Sequence, residues 1–102
     1  MTTLDVGISG PQGAIDLSNG LLGAATTVFS EAGRAVREGR ASGIVGAAGC
    51  DVTMKGAVLR DILSTDDRSG LSEKHSSTQD EVARFIEGID PDADYKVTAL
   101  EV

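Results

Sequence analysis

Cysteine and aromatic residues, which many enzymes and secreted proteins use, are scarce in this chain. Its 102 residues include one cysteine, three aromatic residues and no tryptophan. A single cysteine excludes a disulfide within the chain, so a reducing compartment is the default. No apolar run approaches the roughly 18 residues that a membrane-spanning helix needs. The opening MTTLDVGIS has neither a basic segment nor a long apolar one, so we expect no signal peptide.

Positive charge is also scarce, because 9 Lys and Arg residues face 16 Asp and Glu residues, for a net charge of −7. Free nucleic acid and anionic membranes are therefore improbable partners, since both repel an acidic surface. Protein partners, including copies of the same chain, remain compatible with this charge. Asp is commoner than Glu and Arg is commoner than Lys, a bias that suits a halophile or a high-GC genome.

Large apolar residues are present in the number that one modest core requires. Leu, Ile, Val and Phe make up about a quarter of the chain, above the roughly 20% at which high charge predicts disorder. With so few aromatics, the core must be small and aliphatic. We therefore predict one domain spanning residues 1–102.

The first half of the chain predicts a strand and then a helix. Residues 2–9 alternate between apolar and polar side chains, and residues 10–13 form a turn in which Pro11 presets the backbone. Asp16 or Ser18 then caps a helix that ends near Gly39. Its apolar side chains recur at helical spacing at Leu21, Leu22, Ala25, Val28, Phe29, Ala32 and Val36.

The second half predicts alternating short elements. Residues 42–56 form one interrupted strand or two short strands, and residues 64–78 form a polar loop. Thr78 and Glu81 match a capping box for a helix that ends at Gly88 or at the Pro91 turn. The remaining apolar residues indicate a short helix over Val58, Leu59, Ile62 and Leu63 and a last strand from Tyr95. The expected fold is α+β: a mixed sheet of three to four strands, with two to three helices on one face.

The stretch GISGPQGA, residues 7–14, resembles the opening of P-loop kinases such as the uridine and glycerate kinase group. That resemblance implies a phosphate-binding loop, whose lysine and following Ser or Thr contact phosphate and magnesium. Ile15 and Asp16 stand there instead, and the carboxylate of Asp16 would repel phosphate. We therefore predict a glycine-dependent turn without a nucleotide, and no cofactor.

The stretch DPDADYKVTALE, residues 90–101, resembles an EF-hand calcium loop in its acidic spacing. Asp90, Asp92 and Asp94 fall on the first, third and fifth positions, and Glu101 falls on the twelfth. Tyr95 occupies the sixth position, where the calcium loop needs glycine for its sharp turn. An acidic turn before a terminal strand is the expected structure, with metal binding by the three Asp residues as the alternative.

Three arginines, Arg34, Arg37 and Arg40, recur at intervals of three in an otherwise acidic chain. At the end of a helix they complement the helix dipole. The same stripe is a candidate partner-binding patch for an acidic surface, such as the next copy of the chain.

Catalytic patterns are missing. His75 is the only histidine and lies in the polar loop, and Cys50 sits in the small apolar segment GAAGCDV. A Cys50–His75 pair stays open as an alternative, but an inert cysteine fits this setting better. We find no nucleophile motif such as GxSxG, and therefore expect no enzyme.

These observations favour a non-catalytic structural or interaction subunit of a larger repeating assembly, forming homo-oligomers. A virion or capsid protein of a tailed virus with a halophilic or high-GC host fits them, so the expected location is the cytoplasm or a virion. The alternative is an acidic regulatory binding module, of the antitoxin, immunity or adaptor type, that docks on a basic protein. A calcium-responsive module is a third hypothesis.

Overall fold

A computed structural model describes residues 4–17, 22–44, 50–65 and 76–101 of the chain. Within them it contains five strands, at Leu4–Gly10 (β1), Gly13–Asp16 (β2), Ala41–Gly43 (β3), Cys50–Lys55 (β4) and Asp94–Glu101 (β5). Three helices accompany the strands, at Leu22–Arg37 (α1), Gly56–Thr65 (α2) and Ser76–Gly88 (α3).

The strands form one sheet in the order β2-β1-β5-β4-β3, and every neighbouring pair is antiparallel. The α+β class is therefore confirmed, but the sheet has five strands and no parallel pair, where we expected a mixed sheet of three to four. The cause is that the sheet consists of two local hairpins, β1–β2 and β3–β4, with the last strand between them.

The hairpin β1–β2 replaces the predicted turn from strand to helix. Strand β1 continues to Gly10, which pairs with Gly13 across a two-residue turn. Pro11 suits the first turn position, and Gly13 takes a φ of 111° that favours glycine. Asp16 consequently lies in β2 and does not cap a helix, and α1 begins only at Leu22. Ser18, the other predicted cap, lies outside the described residues.

Helix α1 ends where the sequence predicts, at a glycine cap. Gly39 has a φ of 79°, and its N–H donates to the Val36 carbonyl at 3.1 Å. The Arg40 N–H donates to the Ala35 carbonyl at 2.8 Å. This pair of bonds is a Schellman motif, which satisfies carbonyls that the last turn of the helix leaves unpaired.

The later elements follow the sequence closely. The hairpin β3–β4 confirms the two-strand reading of residues 42–56, and α2 and β5 confirm the short helix and the last strand. Helix α3 ends at Gly88 as predicted but begins at Ser76, before the predicted cap Thr78. Residues 64–65 and 76–78 of the predicted loop are helical, and residues 66–75 lie outside the described part of the chain.

All three helices pack on the same face of the sheet. Along β5, Tyr95, Val97 and Ala99 are buried, whereas Lys96 and Leu100 are exposed. The other long strands alternate in the same way, so one face carries the core and the opposite face carries none of it. The core side chains of the remaining strands are Val6, Ile8, Ile15, Val52 and Met54.

Tyr95 connects three parts of this core. Its hydroxyl oxygen accepts a hydrogen bond from the Asp90 N–H at 3.0 Å, and its ring meets Phe85 edge-to-face with centroids 6.1 Å apart. The ring also covers Gly10, where an added Cβ would lie 2.7 Å from Cε2 of the tyrosine. Gly10 therefore lacks a side chain for steric reasons, and the aromatic pair joins α3 to the central strand.

The start of α2 is attached to the turn that precedes β5. The N–H of Gly56 donates to the Ala93 carbonyl at 2.8 Å, and the N–H of Ala57 donates to the Pro91 carbonyl at 3.2 Å. These are donors that a helix N-terminus otherwise leaves without a partner. The approach is so close that a Cβ on Gly56 would lie 2.7 Å from the carbonyl carbon of Asp90.

We expect Gly56→Ala to destabilise the protein by about 1–3 kcal/mol, because backbone atoms on both sides must separate to admit the methyl group. Gly7→Ala is the matched control, since its Cβ would meet only the Ile15 carbonyl oxygen at 3.8 Å. That variant should be neutral or more stable by up to about 1 kcal/mol. Urea denaturation followed by circular dichroism measures both, and equal stabilities for the two variants would contradict this account.

Candidate functional site

The face of the sheet opposite the helices is the candidate functional surface, called here the open face. It is formed by the outward residues of the strands, and no described element lies over it. Most of these side chains are small or polar: Gly7, Ser9, Ala14, Asp16, Ser42, Asp51, Thr53, Lys96 and Thr98. A face with such short side chains lets another flat surface approach its backbone closely.

Two opposite charges occupy the middle of the open face without pairing. Lys96 on β5 lies between Ser9 of β1 and Thr53 of β4, and Asp51 lies opposite Thr98, two residues further along β5. Neither side chain forms an ion pair or hydrogen bond within the described part of the chain. Both are exposed, so each keeps its capacity to bind a charged group on a partner.

A second pair at the end of the same face behaves differently. The Lys55 ammonium lies 3.0 Å from Asp94 Oδ1, and the two residues are direct neighbours across β4 and β5. Directly opposed charges on one sheet face stabilise each other modestly. Lys55 is therefore already neutralised, which leaves Lys96 as the unpaired cation of the described open face.

Apolar side chains border this charged centre. Leu100 projects from β5 with 51% of its surface exposed, and Ile44 follows β3 with 77% exposed. The N–H of Ile44 donates to the Asp51 carbonyl at 3.0 Å, so the residue continues the register of the hairpin beside β4. These are the two large exposed apolar side chains of the described residues, and both lie on a face that otherwise carries small and polar side chains.

A shallow depression of about 270 Å³ lies on the β1–β2 side of the open face. Gly7 stands at its centre, and Ser9, Ala14, Asp16 and Thr98 surround it. The missing side chain of Gly7 thus produces a recess of the size that a protruding side chain fills. Its lining lacks the imidazole, thiol or amine groups that nucleophilic and general acid–base catalysis use most often.

The arginine stripe lies elsewhere, at the end of α1 and in the turn after it. Arg34 pairs with Glu38 at 3.3 Å and approaches Glu31 at 3.8 Å. Arg40 binds Glu38 at 2.6 Å and approaches Asp61 of α2 at 3.7 Å. Two of the three predicted partner-binding arginines are therefore occupied by local carboxylates, and their docking role stays a prediction.

Arg37 is the exception within that stripe. It is exposed on the last turn of α1 and forms no ion pair with the residues that the structure describes. Its position still complements the C-terminal end of the helix dipole. It is thus the one member of the predicted patch whose charge is available to another molecule.

Glu38 is the carboxylate on which this arginine cluster converges. A hydrogen bond from Arg40 is the largest of the effects that lower the pKa of Glu38, followed by the charges of Arg40 and Arg34. Glu38 is exposed, so solvent screens these contacts. The cluster closes the turn between α1 and β3.

The acidic cluster at residues 90–94 forms a turn that is held by its own hydrogen bonds. Asp90 Oδ1 accepts from the Asp92 N–H at 2.9 Å, and Asp94 is engaged with Lys55. Among the described residues, no three His, Cys, Asp or Glu side chains are grouped closely enough to hold a metal ion. Metal binding by Asp90, Asp92 and Asp94 stays a prediction that this geometry does not support.

Of the remaining candidates, Cys50 is the first residue of β4 and pairs with Ala99, and His75 lies outside the described residues. No helix of the described chain is both long and apolar enough to cross a membrane.

The open face itself was missed by sequence reasoning. The alternation in DYKVTAL indicates such a face, because Lys96, Thr98 and Leu100 fall between buried residues. The sequence does not indicate that β5 pairs with β1 and β4.

Comparison of the chain with protein-family models, with curated proteins and with solved structures found no match.

The pKa of Glu38 gives a test of the arginine cluster. We expect its carboxyl to titrate below the ordinary value for glutamate, and Arg40→Gln should raise the pKa toward that value. Because the pKa is lower in the folded state, the pairing stabilises the fold above the unfolded pKa. That contribution disappears as the pH falls through the folded pKa.

The measurement is an NMR titration of the Glu38 side-chain carboxyl carbon in the wild type and the variant. Arg37→Gln removes the same charge one helical turn away and is the control, which should leave this titration nearly unchanged. An unshifted Glu38 in the wild-type protein would show that the cluster does not persist in solution.

Proposed function

We propose that this protein is a non-catalytic structural subunit of a repeating assembly, in which copies contact each other through the open face. The virion of a tailed virus is one such repeating assembly, and the acidic, lysine-poor composition suits a halophilic or high-GC host. The observation that carries the proposal is the five-stranded sheet with helices on one side and an open face on the other. That face bears exposed Leu100, and its charged residues Lys96 and Asp51 have no partner among the residues that the structure describes.

Packing geometry supports a sheet as the surface that covers the open face. Two stacked sheets lie about 10 Å apart, and each contributes side chains to the space between them. Gly7, Ser9 and Thr98 occupy little of that space, and Leu100 supplies an apolar group to fill it. A second open face brings the same short side chains and the same leucine, so two copies can approach more closely than about 10 Å, with the leucines filling part of the remaining space.

Charge also supports self-association through this surface. The centre of the open face presents one cation, Lys96, and one nearby carboxylate, Asp51. In a two-fold arrangement that places Lys96 opposite Asp51 of the other copy, the symmetry repeats the same pair, because the same patch occurs on both sides. Both ion pairs then form at one contact, and neither leaves an unpaired charge under the partner.

The size of the open face implies a weak individual contact. Five strands about 4.8 Å apart and roughly five residues long cover about 400 Å² per copy. The total of about 800 Å² lies below the size of standard stable interfaces. Each copy also carries a charge of −7, so a dimer in dilute buffer is opposed by repulsion. Such contacts suit an assembly in which many copies add their contributions, or a medium of high ionic strength.

A basic protein is the alternative occupant, as the regulatory-module hypothesis requires. The specific observation in its favour is the excess of exposed carboxylates, Asp51 and Asp61 among them. Association with a basic partner should weaken as salt is added, because the attraction is screened. Self-association of an acidic chain should strengthen, so salt dependence separates the two functions.

The test measures the molar mass in solution by size exclusion with light scattering, at about 0.1 M and at about 2 M salt. Between these two concentrations the Debye length falls from about 10 Å to well below 3 Å, so repulsion between copies is screened. We expect a defined oligomer that strengthens at high salt. Leu100→Lys should weaken it, because the charged group would be buried at the contact.

Ser30→Lys is the matched control: it adds the same charge at an exposed position on α1, away from the open face. It should assemble as well as the wild type. A protein that is monomeric at both salt concentrations would refute the proposal, as would two lysine variants that weaken association equally.

A further inference from the structure

A second depression lies outside the open face, where helix α3 meets the edge strand β2. Its volume is about 320 Å³, at the lower end of the range for ligand pockets. The floor is apolar and is formed by the buried side chains of Ile15 and Phe85. Gln12, Ala14 and Arg84 form the walls. The recess therefore combines an apolar surface with groups that donate hydrogen bonds.

The backbone of β2 adds hydrogen-bonding groups beside this recess. Leu17 donates to the Val6 carbonyl at 2.8 Å, and hydrogen-bonded pairs alternate along an antiparallel ladder. By that alternation Ile15 exchanges bonds with Ile8, whereas Ala14, opposite Ser9, points its N–H and C=O away from β1. Because β2 is an edge strand, these two groups face outward, where an extended chain could pair with them.

Arg84 supplies the charge of the site. It is exposed on α3 and forms no ion pair or hydrogen bond within the described part of the chain. Its guanidinium thus keeps the planar set of donors that binds a carboxylate with two parallel hydrogen bonds. Among the described arginines, Arg34 and Arg40 pair with carboxylates, whereas Arg37, Arg60 and Arg84 do not. Of these three, Arg84 is the one that lines this recess.

Gln12 reaches the last turn of α3, where Gly88 lacks a side chain. A Cβ added to Gly88 would lie only 3.3 Å from Oε1 of Gln12. The Gln12 side chain therefore rests against the last turn of α3. The amide of Gln12 provides both a donor and an acceptor. Together with the outward groups of Ala14, it adds hydrogen-bonding sites without charge along the rim.

We propose that this edge binds an extended peptide segment of another protein that carries a carboxylate side chain. The peptide adds to β2 as a sixth strand through Ala14, the carboxylate pairs with Arg84, and an apolar side chain rests on Ile15 and Phe85. Backbone pairing gives the affinity in this mode of recognition, and the side-chain recess gives the specificity. The site borders the open face and shares Ala14 with it, but its cation Arg84 lies on α3, and its occupation does not depend on the proposed self-association.

The test uses the full chain, ¹⁵N-labelled, and a short blocked peptide of valine and threonine with one central aspartate. A second peptide has asparagine in place of aspartate. Binding is followed by two-dimensional NMR as millimolar peptide is added. We expect shifts at the amides of Gln12, Ala14 and Arg84, and about tenfold weaker binding of the asparagine peptide, the loss expected when a charged hydrogen bond is removed.

Arg84→Gln should weaken binding of the aspartate peptide by a similar factor. Arg37→Gln is the matched control, because it removes an equally exposed and unpaired helical arginine and should leave binding unchanged. Three results would overturn the proposal: no shift at Ala14, equal weakening by the two arginine variants, or equal binding of the two peptides. Shifts at Gln12 and Arg84 that depend on protein concentration without peptide would also overturn it, since a second copy would then occupy the edge.

Discussion

Strand β5 lies between the two hairpins, and its backbone pairing with β1 on one side and β4 on the other is the interaction on which the rest of the structure depends. Each hairpin forms from neighbouring residues, and a lone hairpin is marginal in water. β5 joins them through contacts that span nearly the whole chain, from Leu4 to Glu101. The loop entropy of these distant contacts must be overcome before any strand is fully paired, so the sheet forms as a cooperative unit.

The same strand determines how the helices attach. Tyr95 at its start accepts a hydrogen bond from Asp90 and packs against Phe85 of α3, while the turn before it receives the first N–H groups of α2. Both helices are thereby held on the side of the sheet where Val97 and Ala99 are buried. The opposite side of β5 is left with Lys96, Thr98 and Leu100, and this division creates the open face.

The distribution of cations separates structural from binding surfaces. Arg34, Arg40 and Lys55 each have a carboxylate partner close by, and at exposed positions such pairs contribute little to stability. Lys96 and Arg84 have none in the described chain, although carboxylates outnumber cations. Lys96 lies beside small side chains on the open face, and Arg84 lies beside apolar side chains at the edge of β2. Among the described residues Arg37 also lacks a carboxylate partner, but Lys96 and Arg84 are the ones that lie on the two candidate binding surfaces.

The sequence by itself determined the parts that depend on local rules. The alternation from Tyr95 onward, the periodicity of Val58 to Leu63 and the glycine cap at Gly39 each predict an element that the structure contains. It also predicted the α+β class, because helical and strand-like periods both occur. The β1–β2 hairpin was missed, since the four residues of β2 are too few to show a period and the P-loop-like glycines suggested a helix.

Only the tertiary structure decided which residues share a surface. The sequence places Arg34, Arg37 and Arg40 on one stripe, but the packing of α2 beside α1 brings Asp61 to Arg40 and occupies part of it. Lys96 and Asp51 are 45 positions apart and become neighbours only through the register of β4 on β5. Strand order and register are set by the joint burial of many side chains, a property that no local stretch of sequence contains.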